Sequence, residues 1–218
     1  MSAPLQKLLA WLSPAFPIGA FAWSAGLESA IAEGAVSDSA TTRNWIETAL
    51  RVGGLRTDAT LCARAWDAAA RAEDLAAIAD LAIALVPAAE RLAETIAMGE
   101  AFATAARAWP SDVFARLPRP CPYPVAVGAI GAAHDVPREA AITAFLAATV
   151  HGQISVAVRL VPIGQTDGLR ILAALEPVIA EIAAEAAATA LDDIGAMGYA
   201  ADIAQMRHET QTTRIFRS

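Results

Sequence analysis

The sequence predicts an all-α protein, a single helical domain of about eight to ten helices spanning residues 1–218. Three observations carry that prediction. About a quarter of the residues are Ala, which loses almost no side-chain entropy in a helix. Hydrophobic residues make up 56% of the chain and charged residues 18%, enough apolar surface for a large core without disulfides or metals. Apolar residues recur at helical spacing, and no pair of alternating runs is joined by hairpin turn residues.

The elements follow in order. Pro4–Leu12 reads as a short apolar helix ended by Ser13-Pro14. Residues 13–22 hold two further turn formers, Pro17 and Gly19, and read as a structured loop. Ser24–Ala32 is a short helix with Gly34 as its stop. Asp38–Val52 is amphipathic: Trp45, Ala49 and Val52 share a face, and Glu47 and Arg51 form an i,i+4 pair. Helices over Asp58–Ala72 and Asp74–Leu85 follow. Pro87 opens a long helix to about Ala108, in which Glu90 and Glu94 read as a solvated face. The proline-rich stretch 109–124 is an extended connection. Pro124–Ala133 and Arg138–Leu160 are nearly free of charge and read as central, all-round-buried helices. Gly164–Gly168 reads as a tight turn, followed by a helix over Leu169–Leu191 with a kink at Pro177. Ala201–Thr210 is the last helix, and 211–218 is a polar tail around Ile215 and Phe216.

Charge excludes several function classes. Sixteen basic residues against 23 acidic ones give a net charge of −7, which argues against nucleic-acid binding. Lys7 is the one lysine, so no phosphate-binding GxxxxGK[ST] loop exists. There is no HExxH and no GxSxG. Cys62 and Cys121 form no CxxC and read as small buried hydrophobes of a cytoplasmic protein. Met1–Leu12 does not read as a signal peptide. Ala140–Val158 is free of charged residues and long enough to span a bilayer, but it contains His151, Gly152 and Gln153 and reads as a core helix rather than a membrane span. His151 itself reads as a hydrogen-bonded core histidine. No intrinsic metal or cofactor site is expected, since His134, His151 and His208 are dispersed. The one enzymatic alternative is a small helical enzyme with a buried carboxylate–His pair such as Glu139/His151.

Three segments have no evident core role. Phe16–Glu28 alternates aromatics with Gly and Ala. Arg159–Arg170 places two glycines after an apolar helix. Met206–Ser218 carries Arg207, Arg214 and Arg217 around Ile215 and Phe216. The ordering cost of such a tail exceeds what it recovers alone, which leaves two readings, docking on another chain or a frayed terminus.

Together these segments resemble the UreF family of urease accessory proteins. Residues 13–21 (SPAFPIGAF), continuing through Ser24 and Gly26-Leu27-Glu28, resemble its N-terminal signature. Residues 162–168 (PIGQTDG) resemble its central segment, and Met206, 208–211 (HETQ) and 214–218 (RIFRS) its C-terminal one. The resemblance implies a non-enzymatic chaperone that dimerises and binds the accessory protein UreD (also called UreH) and the GTPase UreG. That complex would deliver nickel to urease apoprotein, with nickel and GTP handled by the partners. GTPase regulation would draw on Arg170, Arg207, Arg214 or Arg217. The partner-binding residues it implies are Phe21, Trp23, Leu27 and Glu28; Gly164, Gln165, Thr166 and Asp167; and Met206, His208, Glu209, Arg214, Ile215, Phe216 and Arg217.

Overall fold

The computed structural model describes residues 3–218. Within them are ten α-helices, three short 3-10 turns and no strand. The helices are α1 (Ala3–Trp11), α2 (Leu27–Ala32), α3 (Ser39–Arg51), α4 (Gly54–Ala70), α5 (Ala76–Ala84), α6 (Ala89–Ala106), α7 (Tyr123–Ala133), α8 (Arg138–Leu160), α9 (Gln165–Ala188) and α10 (Tyr199–His208).

Helix α7 is the axis of the bundle. Each residue from Tyr123 to Gly131 is buried, as its lack of any charged side chain predicts. Its neighbours approach unusually closely because glycine removes the obstructing carbon. A Cβ on Gly128 would stand 3.0 Å from the Trp66 nitrogen of α4 and overlap the Cys62 carbonyl. A Cβ on Gly99 of α6 would stand 2.8 Å from the backbone at Pro122. Helices α4, α6 and α8 surround α7, and α9 lies across α3, α4 and α8. The end of α3 is tied to α9 through Arg51, which meets Glu47 and Glu181 at 2.9 and 3.0 Å.

Helix starts follow local chemistry. Asp38 caps α3: its carboxylate accepts the Thr41 N–H at 2.8 Å, and Thr41 Oγ1 accepts the Asp38 N–H in return. The Thr41 N–H and the Thr41 hydroxyl, both donating to it, hold the Asp38 carboxyl below the usual carboxylate range. Helix α6 has no cap of its own, and Glu209 supplies one from beyond α10, accepting the Ala89 N–H at 2.7 Å.

Three sequence readings need correction here. Gly164–Gly168 is no free turn: Gly164 is the N-cap of α9 and Gln165–Gly168 its first turn, with Gly168 pressed against Ile154 and Val158. The helix therefore starts four residues early and runs on through Pro177, whose missing N–H falls on the exposed face. Helix α8 has the predicted ends but is not buried all round. It passes the length and hydropathy test for a membrane span, with half of that window buried in the bundle. Its exposed face carries Thr143, His151, Ser155 and Arg159, so His151 is a surface residue, not a core one.

Candidate functional site: the tail clasp and the adjoining cleft

The last eight residues fold back onto their own chain. This overturns the expectation that they cannot repay their ordering without another chain. Phe216 is 3% exposed and completes a small second core with Leu27, Val36, Val156, Ala157 and Ala204. The Arg159 guanidinium lies 4.5 Å from the centre of the Phe216 ring.

The polar half of the clasp is built on Glu28. Two backbone residues before α2, Ala25 and Gly26, have φ of +52° and +81°. Both lie in the left-handed region, which non-glycine residues seldom adopt. A side chain at 26 would meet Gln205 of α10 at 2.8 Å, so only glycine lets α2 and α10 close together. This turn drives the Glu28 side chain inward, where it is 5% exposed. One carboxylate oxygen accepts the Ile215 N–H at 2.7 Å and the other accepts the Phe216 N–H at 2.9 Å. His208 is fully buried between two carboxylates, with Nε2 3.1 Å from Glu28 and Nδ1 2.6 Å from Glu90. Arg214 closes the ring by pairing with Glu90.

The end of the tail is held at a second point. The Ser24 N–H donates to the Ser218 carbonyl at 2.9 Å, as does the Ser24 hydroxyl. The Ala25 N–H donates to Ser218 Oγ at 3.2 Å, and that hydroxyl donates to Glu94 at 3.0 Å. Glu94 shares the guanidinium of Arg91 with Asp58, at 3.3 and 2.7 Å. Burial pushes the carboxyls of both Glu94 and Asp58 up, against the pull of Arg91. Glu90 and Glu94 are thus not the solvated face their spacing suggests. They point into the clasp.

Beside the clasp runs a cleft of about 200 Å³ between the 12–25 loop and α8. Its walls include Phe16, Trp23, Trp45, Met98 and Tyr123, and Arg159 stands at its edge. The Arg217 guanidinium lies 5.6 Å from the Trp23 ring, and the Arg217 N–H donates to the Ala22 carbonyl at 2.8 Å.

The structure sorts the sequence-implied residues into two groups. Leu27, Glu28, His208 and Phe216 are buried inside the clasp. Phe21 (80% exposed), Ile215, Met206, Gly164, Gln165, Thr166, Arg214, Arg217 and Glu209 lie at the surface; Trp23 and Asp167 are half-buried. The 164–167 group sits at the start of α9, just after Val161 and Ile163, which pack in the second core with Phe216. Among the arginines, Arg170 pairs with Asp167 at 2.9 Å and Arg207 with Glu33 at 2.7 Å. The Glu139/His151 pair does not form. Glu139 pairs with Arg138 and both members are exposed, three turns apart on α8. Sequence reasoning gave no site role to Glu90, Glu94 or Arg159 and met Ser24 only as part of the N-terminal signature. Only the pairing of buried carboxylates with the basic tail could have pointed to the first two. Among the described residues, no three His, Cys, Asp or Glu side chains are placed to hold a metal ion.

The UreF family profile matches residues 36–176, which include Glu90, Glu94 and Arg159 but not Glu28 or the tail. Full-length relatives cover the clasp as well. A urease accessory protein UreF of Agrobacterium fabrum is 50% identical over 216 residues, 99% of this chain and 97% of its own. That of Rhizobium leguminosarum bv. viciae is 52% identical over 214 residues, 98% of this chain and 96% of its own. A urease accessory protein UreF 1 of Brucella suis biovar 1 is 47% identical over 214 residues, 98% and 94%. By these relatives the chain falls in the class of urease accessory proteins. Within that class, the chain belongs to the UreF family.

Proposed function

We propose that the chain is a non-enzymatic scaffold that binds UreD (UreH) and the GTPase UreG in the cytoplasm. It acts as a homodimer within the complex, supports delivery of nickel to urease apoprotein, and influences GTP hydrolysis on UreG. Nickel is cargo here, and GTP is bound by the partner. One observation carries the reading. Tyr199, Ile203 and Met206 are 70%, 46% and 47% exposed and share the outward face of α10, at i, i+4 and i+7. Met197, 67% exposed, stands just before them. A contiguous apolar stripe on a surface helix marks a protein-docking face. Its inner face, through Ala204 and His208, is held by the clasp, which fixes the stripe's orientation.

An enzymatic reading finds one carboxylate–His group, Glu28–His208–Glu90, but it is sealed under the tail and does not line the cleft.

Co-purification with tagged UreD and UreG tests the proposal. Ile203→Asp with Met206→Asp is expected to abolish capture while far-UV circular dichroism and melting temperature stay those of the parent. Full capture by the doubly charged variant would refute the docking face.

A further inference from the structure

Two arginines at the clasp lack a carboxylate. Arg91 pairs with two, Asp58 and Glu94, and Arg207 and Arg214 with one each. Arg159 and Arg217 do not, among the described residues. Arg159 is parked on the Phe216 ring and donates to the Phe21 carbonyl at 3.3 Å, while Arg217 is parked on the Trp23 ring. Acidic residues outnumber basic ones 23 to 16, yet none reaches these two exposed guanidinium groups. Packing on aromatic faces holds each planar fork and, apart from the bond Arg159 gives to Phe21, leaves its donors for a carboxylate.

Arg159 lines the mouth of the apolar cleft, and Arg217 stands beside it against Trp23, one of the wall residues. His151, Ser155 and Arg159, spaced by four on the exposed face of α8, form one side of its rim. The one acid on its wall, Glu94, is buried and already paired with Arg91. At about 200 Å³ the cleft falls below the roughly 300–1,000 Å³ of small-molecule sites, and suits one large side chain.

We propose that this cleft receives an acidic segment of a partner protein: one large apolar side chain fills the cavity, and flanking carboxylates pair with Arg159 and Arg217. The inference rests on the scaffold reading above and adds the chemistry of what is bound. The cavity supplies the buried anchor on which such interfaces depend, and the two cations supply register.

Gly152 offers the test. It lies on the cleft wall, and a Cβ there meets nothing within 4 Å, so the space can be filled without moving the backbone. The full chain carrying Gly152→Phe or Arg159→Gln is co-expressed with UreD and UreG. Each substitution is expected to lower captured partner at least tenfold, while Gly152→Ala and Arg71→Gln, the latter at an exposed arginine paired with Glu73, retain wild-type capture. Gly152→Cys labelled with a maleimide photocrosslinker gives a second readout, since Cys62 and Cys121 are buried. The crosslinked partner peptide is expected to carry Asp or Glu around a Phe, Trp, Leu or Met. Wild-type capture by Gly152→Phe, or crosslinking to a second copy of this chain or to a peptide without acidic residues, would overturn the proposal. If the wild-type chain captures neither UreD nor UreG, the scaffold reading fails and this inference with it.

Discussion

Replacing Glu28 by Gln weakens the anchor that seats the tail. The side chain keeps its shape and loses its charge. In the parent, the Ile215 and Phe216 N–H groups donate to this carboxylate at 2.7 and 2.9 Å. A buried hydrogen bond to a charged group contributes about 1.5–3 kcal/mol, roughly twice a neutral one. The amide also turns its NH2 toward one of the two donors, leaving that N–H without an acceptor. Losing half of each bond and orphaning one donor sums to about 3 kcal/mol. At 1.4 kcal/mol per decade that shifts the seated tail toward the open form about 100-fold. Native-state hydrogen exchange reads this directly, because both amides have Glu28 as their acceptor. Their exchange is expected to accelerate about 100-fold in Glu28→Gln, while amides of α7, buried along its length, stay at parental rates. A change of less than threefold at Ile215 and Phe216 would refute the placement of Glu28 at the centre of the clasp.

Other outcomes follow from packing and burial. Gly128→Ala is expected to force α7 away from the Cys62 carbonyl and cost about 3 kcal/mol, lowering the melting temperature by roughly 6–12 °C. Gly152→Ala, with open space around its Cβ, should be neutral or stabilise α8 by up to about 1 kcal/mol. Melting curves that place the two variants together would contradict the packing described. Burial pushes the Cys62 thiol far up and the Cys121 thiol to about 12. Neither should react with a thiol reagent in the native state, and labelling should track global unfolding in urea; a fast native phase would count against their burial. The folded chain holds the Glu94 proton to higher pH than the unfolded chain does. That contribution to stability is complete below the ordinary carboxylate pKa of about 4 and is lost as pH rises through the folded value. Urea midpoints of Glu94→Gln should therefore fall less steeply with rising pH than those of the parent, and parallel slopes would remove Glu94 from the account.

The sequence by itself determined the all-helical class, most helix positions and the burial of α7, because those depend on properties carried along one stretch of chain. Ala content, 3.6-residue periodicity and the lack of charge in Pro124–Ala133 are all local. It also determined the family, through three short segments far apart in the chain. What only the tertiary structure decided is the fate of those segments. Read alone, Arg214–Ser218 has no partner and Glu90/Glu94 look like a wet helix face. Folding brings Glu28, Glu90 and Glu94 to within hydrogen-bond reach of residues more than 100 positions away. A carboxylate's environment depends on what packs over it, and no spacing rule within one helix encodes that. The same reason reverses His151 and His208: one is exposed on α8, the other is enclosed between two carboxylates. Periodicity gives a helix its faces, but the neighbours that cover each face come from the rest of the chain.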